Sequence, residues 1–270
     1  MNHSKILLVG CGKMGGALLS GWLEQGIPAK NIQAIEPFQD FARPFLDQGI
    51  TFHNSLDFLD TDFAPDFVLF AIKPQIMDEV IPAYSRFSGK CTFISIAAGK
   101  TTSYFERKLG KDSAIIRTMP NMPASIRQGV TVACGNPYVT SKAKETCLSL
   151  LTAVGEANWL DDERLIDAVT AVSGSGPAYV FLLAETMAKA GINAGLSPKI
   201  SHQLASQTIA GSGALLVQSD ENAETLRESV TSPGGTTEAA LSILMGKNGV
   251  QKLISEAVSK AIERSKELAG

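Results

Sequence analysis

The feature that most constrains the fold is a glycine-spaced turn at the end of the first apolar run. Residues 6 to 16 read IleLeuLeuValGlyCysGlyLysMetGlyGly, placing Gly10, Gly12 and Gly15 in GxGxxG spacing between a strand-forming run and a helix-forming one. Each glycine has a physical task in such a turn. The first bends the chain tightly, the second lets the backbone approach a pyrophosphate, and the third lets helix and strand pack closely. Amides at the start of the following helix then hold the anion. A GxGxxG alone is weak, because glycine-rich turns are common. Here the preceding strand, the following helix and an acidic residue, Glu36, ending the second apolar run all agree on dinucleotide binding.

From residue 4 to about 160 the pattern repeats: a short apolar run, a turn, then an amphipathic stretch, which means a parallel sheet covered by helices. The runs are 5–9, 32–35, 50–53, 67–71, 92–97, 114–119, 129–133 and 155–160. Helices are expected at about 14–26, 39–48, 75–86, 101–108 and 140–152. The link ProAsnMetProAlaSerIleArgGln between the sixth and seventh runs is too short and too Pro-rich for a helical crossover, so the sheet should end there in an antiparallel edge. After residue 160 the strand signal stops, and the remainder reads as helices at about 161–172, 176–191, 198–218, 222–229, 236–246 and 249–268. The expected fold class is therefore an α/β Rossmann domain, a mostly parallel doubly wound sheet with an antiparallel edge, over residues 1–160, followed by an all-α domain over 161–270.

Composition narrows the function classes. With 44% apolar and 19% charged residues the chain can build ordinary cores. A net charge of −3 leaves no basic stripe for nucleic acid or anionic membrane, so a small ligand is the expected partner. Cys11, Cys91, Cys134 and Cys147 lie far apart with no CxxC pair, and the three histidines share no helical spacing, which points to reduced thiols and no metal site. One Lys followed by IleLeuLeuVal is too short for a signal-peptide core, so a cytoplasmic location is expected. Two charge-free stretches, 168–184 and 200–219, are interrupted by Ser, Gly, Pro, His, Gln and Thr and read as buried helices of a soluble protein. The second half is rich in Ala, Gly and Ser, which suits close helix packing within one subunit or across a homodimer.

Individual positions carry alternatives. Glu36 reads as an acceptor for a ribose 2′-hydroxyl, which would favour NAD over NADP, or as a solvated loop carboxylate. Lys73, in AlaIleLysPro at 71–74, reads equally as a ligand at a strand end and as a surface lysine before Pro74. The segments ArgThrMetProAsnMetPro (117–123), AlaValSerGlySerGlyProAlaTyr (171–179) and ValThrSerProGlyGlyThrThr (230–237) would be costly inside helices, so each marks a helix break or start. The last feeds a helix whose first-turn amides could seat a carboxylate.

Taken together, GxGxMG at 10–15, AlaIleLysPro at 71–74, ArgThrMetProAsn at 117–121, SerGlySerGlyProAlaTyr at 173–179 and SerProGlyGlyThrThr at 232–237 make the whole chain resemble the pyrroline-5-carboxylate reductases. The resemblance implies a Rossmann domain, a dimerising helical domain with possible larger homo-oligomers, and reduction of 1-pyrroline-5-carboxylate to L-proline with NADPH, or with NADH. It also implies roles by position. Gly10, Cys11, Gly12, Lys13 and Met14 match the pyrophosphate loop, and Asn54, Ala71, Lys73 and Pro74 match segments lining adenosine and nicotinamide. Asn121 and the AlaAlaGly turn with Ala97 match the nicotinamide end. Ser175, Ser232, Gly234, Gly235, Thr236 and Thr237 match the substrate loop, with Thr237 the expected hydrogen-bond partner of the ring nitrogen or a capping residue of the helix. The chain departs from the family where it has Met122 in place of a common Thr or Ser, and IleGluPro in place of a frequent AsnArgSer-like stretch.

Overall fold

The fold is seen in a computed structural model that describes residues 4–269. Eight strands form one sheet: β1 (Ile6–Val9), β2 (Ile32–Ile35), β3 (Thr51–His53), β4 (Phe67–Phe70), β5 (Thr92–Ser95), β6 (Ala114–Met119), β7 (Gly129–Gly135) and β8 (Gly155–Trp159), in the order β3-β2-β1-β4-β5-β6-β7-β8. The first six are parallel, β7 runs antiparallel to β6, and β8 pairs parallel to β7. The antiparallel edge is thus two strands wide, and the sheet continues two strands, β7 and β8, beyond the Pro-rich link.

The inner strands are buried along their length because helices cover both faces. On one face α1 (Lys13–Glu24) and α5 (Ser141–Leu151) pack on Ile6, Leu8, Ile32, Leu69 and Ile94, and the Trp22 indole N–H donates to the Leu150 carbonyl at 2.8 Å. On the other, α3 (Met77–Val80) and α4 (Thr102–Leu109) cover Leu7, Val9, Val68, Phe70 and Phe93, with the Phe70 ring stacked on Phe93 and Phe105. A third short helix, α2 (Gln39–Ala42), follows β2.

Two expected helices are shorter than their periodicity suggests, and proline is the reason. The 39–48 stretch is α-helical only to Ala42 and continues as 3-10 turn around Pro44; the 75–86 stretch is α-helical only over Met77–Val80, flanked by 3-10 turns holding Pro74 and Pro82. A proline lacks the amide for an i to i−4 bond and disfavours helix at the preceding residue. The 161–172 stretch likewise narrows to α6 (Ile166–Val169) and then widens into π-helix over Thr170–Gly174, where Gly174 makes room for the Met119 side chain.

The chain divides into two compact units, Met1–Gly174 with Ile262–Gly270, and Ser175–Ala261. The second contains α7 (Gly176–Asn193), α8 (Pro198–Gln218), α9 (Ala223–Ser229), α10 (Thr236–Leu244) and most of α11 (Val250–Ala269). Small residues bring α7 and α8 together: the Ser201 hydroxyl donates to the Ala188 carbonyl at 2.7 Å, at a level where Gly191 leaves no room for a Cβ. The expectation that 168–184 and 200–219 are buried is overturned. Val180, Phe181, Leu182 and Leu183 on α7 and Leu215, Leu216 and Val217 on α8 are exposed in the single chain. The helical run Glu163–Asn193 is long and apolar enough by length and composition to cross a membrane, yet little of it is buried. Sequence hydrophobicity shows that such faces are apolar; it cannot show whether the chain itself covers them.

One polar cluster is built into the first unit. The buried Arg117 guanidinium on β6 donates from Nη1 to Glu163 Oε1 at 3.0 Å, and its Nη2 stands 3.9 Å from Asp167 Oδ1. Glu163 also accepts from the Thr102 amide and hydroxyl, and Asp167 accepts from Ser265 near the end of α11. Among the described residues Arg117 Nε and Nη2 have no hydrogen-bond partner, so Glu163 carries most of the compensation for this buried charge. Glu163→Ala is expected to lower stability by about 2–3 kcal/mol in urea denaturation, since it strands a buried cation, and adding Arg117→Met should recover much of the loss.

Candidate dinucleotide and substrate sites

The glycine turn is dictated by close approach. Gly10 sits at φ +93°, and a Cβ there would come within 2.8 Å of both the Ala71 carbonyl oxygen and the Ile72 side chain. A Cβ on Gly15 would collide with the Gly10 carbonyl. Gly12 differs, because a Cβ on it would meet nothing within 4 Å. It begins α1 with extended backbone, and no side chain caps the helix. An open face beside uncapped first-turn amides fits a dinucleotide pyrophosphate.

Glu36 closes this turn from below. It is only 5% exposed; Oε2 accepts from the Cys11 amide at 2.7 Å and Oε1 from the Phe38 amide at 2.9 Å. The solvated-loop reading is therefore overturned: a buried carboxylate must be hydrogen-bonded, and these amides supply the bonds. The Cys11 thiol is buried beside it and pushed up to about 12, by burial first and by the Glu36 charge second, which leaves it an unreactive thiol.

The other expected cofactor residues lie at the carboxyl ends of the strands or just beyond them. Lys13 and Met14 open α1; Asn54 follows β3 and is exposed; Ala71, Lys73 and Pro74 follow β4; and Ala97, whose amide donates to Ser95 Oγ at 3.2 Å, follows β5. Lys73 is exposed and takes part in no ion pair among the described residues. The side chain of Asn121 is committed to structure: Oδ1 accepts from the Val130 amide at 3.0 Å and Nδ2 donates to Ser173 Oγ at 3.3 Å. It ties the ArgThrMetProAsn segment to β7 and to the π-helix.

In the second unit Ser175 stands at the start of α7, and its carbonyl accepts from the Ala178 amide. The expected substrate loop is a tight bend entering α10. The Gly235 amide donates to the Ser232 carbonyl at 3.0 Å, and Gly234, at φ +71°, donates its amide to Glu238 Oε2 at 2.7 Å. Glu238 was not singled out in the sequence, although an acidic residue at the third helical position is a recognisable capping signal. With 234 and 235 paired inside the bend, the amides of Thr236, Thr237 and Glu238 are the ones left without intrahelical acceptors at the helix start, since the first intrahelical bond runs from the Ala239 amide to the Gly235 carbonyl. No side chain caps that start, and Thr237 is half-buried.

A doubly wound sheet with this turn, followed by a helical second half, defines an oxidoreductase that binds a nicotinamide dinucleotide. Residues 163–268 match the family model for pyrroline-5-carboxylate reductase dimerisation, and 5–99 match the model described as NADP oxidoreductase, coenzyme F420-dependent. The pyrroline-5-carboxylate reductase of Pseudomonas aeruginosa is 38% identical, covering 100% of this chain and 98% of its own, and that of Escherichia coli is 35% identical over 99% of each. The structure of the reductase from Coxiella burnetii superposes with a TM-score of 0.92 at 32% identity over 100% of both chains. That of Plasmodium falciparum, solved with NADP bound, gives 0.83 at 30% identity over 100% of both. The chain belongs to the pyrroline-5-carboxylate reductase family.

The glycines should separate fold from binding. Gly10→Ala is expected to cost about 1–3 kcal/mol of stability from its left-handed backbone and the Ala71 contact. Gly12→Ala should leave the thermal midpoint within a degree or two yet abolish dinucleotide binding, measured by titration with reduced cofactor.

Proposed function

We propose that this protein reduces 1-pyrroline-5-carboxylate to L-proline with a reduced nicotinamide dinucleotide, NADPH or NADH. The observation that carries the reading is the SerProGlyGlyThrThr bend. It presents uncapped first-turn amides and two hydroxyls at the start of α10, in a chain whose first unit holds a dinucleotide turn. A small ring acid needs these groups: amides for the carboxylate, supplied without an arginine, and a hydroxyl for the ring nitrogen. The pairing of Gly234 with Glu238 supports Thr236 and Thr237 as the amides that take the carboxylate, with Ser232 and Gly235 shaping the bend and Ser175 the pocket wall.

When bound, the dinucleotide supplies hydride to C5 of the imine. Gly10, Cys11, Gly12, Lys13 and Met14 would hold its pyrophosphate, Glu36 and Asn54 its adenosine half, and Ala71, Lys73, Pro74 and Ala97 the rim beyond, with Asn121 positioning the nicotinamide end through β7. The Thr237 hydroxyl donates to the neutral imine nitrogen, relaying a proton to it from water, and its oxygen accepts from the nitrogen once protonated. A hydroxyl is a poor acid, so its contribution is orientation of a nitrogen that is or becomes protonated. Placement of the reacting carbon near 3–3.5 Å from the donor supplies most of the advantage.

The functional division is inferred at about residue 160, with dinucleotide binding before it and substrate binding and dimerisation after it. A second copy is the inferred cover for the exposed faces of α7 and α8, which the match to a dimerisation model supports. Four buried, unpaired thiols suit the reducing cytoplasm.

Mixing the protein with pyrroline-5-carboxylate and reduced cofactor should consume absorbance at the reduced-nicotinamide band and yield proline; no turnover with either cofactor would defeat the assignment. Thr237→Ala should lower kcat by ten-fold or more with folding intact, because one hydrogen bond to a charged group is worth about 1.5–3 kcal/mol. Replacing Glu36 by Ala or Gln should raise the NADPH-to-NADH ratio of kcat/KM by about ten-fold, because a fixed carboxylate repels a 2′-phosphate.

A further inference from the structure

The loop after β2 carries two phenylalanines that the first unit leaves in water. Phe38 is 65% exposed and Phe41 46% exposed, with ring centroids 6.4 Å apart and planes at 89°. In the same unit Phe67, Phe70, Phe93 and Phe105 are buried, and Phe58 stands exposed singly; what sets Phe38 and Phe41 apart is that two exposed rings pack on each other in the loop that follows the carboxylate Glu36. The pair is also held in place. The Phe38 amide donates to Glu36 Oε1 at 2.9 Å, and the Phe38 carbonyl accepts from the Phe41 amide at 3.1 Å. The same Glu36 carboxylate binds the Cys11 amide of the glycine turn. One hydrogen-bonded chain therefore runs from the pyrophosphate turn, through the carboxylate expected at the ribose, to an exposed aromatic ring two residues further on.

We propose that Phe38, braced edge-to-face by Phe41, is the platform on which the adenine of the dinucleotide stacks. The proposal rests on the reading of the glycine turn as a dinucleotide site. Adenine is the occupant favoured over a protein partner for two reasons. Two rings offer far less area than a protein contact buries. The ring also stands two residues from Glu36, the carboxylate assigned to the ribose, and the base is the next group along that ligand. Stacking uses the face of the base and is indifferent to what the ribose carries. NADH and NADPH should therefore depend on Phe38 equally, unlike their dependence on Glu36.

The test is calorimetric titration of the full-length protein and its Phe38→Ala and Phe38→Trp variants with NADH, NADPH and reduced nicotinamide mononucleotide, which lacks adenosine. Phe38→Ala should raise Kd for NADH and NADPH by about ten-fold each and leave the mononucleotide unchanged. Phe38→Trp should restore tight binding. Unchanged dinucleotide affinity in Phe38→Ala would overturn the proposal, and so would a parallel loss for the mononucleotide, which would mark Phe38 as structural. Failure of the unsubstituted protein to bind either dinucleotide would remove the reading of the glycine turn and this platform with it.

Discussion

The Glu36 carboxylate reaches from the end of β2 to the Cys11 amide at 2.7 Å and to the Phe38 amide at 2.9 Å, and the ligand-binding edge of the first unit is organised around those two bonds. A buried carboxylate without partners would be costly, so the bonds hold in the folded state and fix the strand end relative to the turn. The turn itself tolerates no side chain at Gly10 or Gly15, because Ala71 and Ile72, just after β4, and the turn's own carbonyl occupy the space. Only Gly12 looks outward. The result is an anion seat whose shape is set before any ligand arrives, which limits the ordering cost of binding.

The two units use different physics. The first buries continuous apolar strands between helices and spends its polar groups on a few fixed clusters, among them Arg117 with Glu163, Asp167 and Thr102. Through Asp167 this cluster also holds Ser265, so the end of the last helix belongs to the first unit although most of that helix does not. The second unit relies on small residues, such as Gly191 against Ser201, for close helix contact, and leaves large apolar side chains on α7 and α8 uncovered. A surface of that kind is stable in water only when another surface meets it.

The strand positions were legible because a parallel sheet covered on both faces needs unbroken apolar runs, and β1, β2, β4 and β5 appear within two residues of where those runs lie. The helices after β2 and β4 were less legible. Their apolar spacing is helical, but Pro44, Pro74 and Pro82 turn much of each into 3-10 geometry. Among site residues, the glycines announced their tasks by spacing. Glu36 did not, because position alone leaves a solvated acid and a buried one indistinguishable. Asn121 was legible as part of a motif, but its commitment to Val130 and Ser173 depends on a strand and a π-helix distant in sequence. Glu238 lay in plain view as a helix-start acid, and its grip on the Gly234 amide limits which amides of the bend can serve an anion.

By itself the sequence determined the class of fold, the order of its elements, the dinucleotide turn and the family, since these depend on local periodicity and short motifs that a chain carries wherever its parts end up. Tertiary structure alone decided which polar atoms are already spent: the Glu36 carboxylate on the turn, Asn121 on β7, and Arg117 on Glu163. It also decided which apolar faces remain in water. Both depend on pairs of groups distant in the chain, and hydrogen bonding and burial are properties of such pairs rather than of residues.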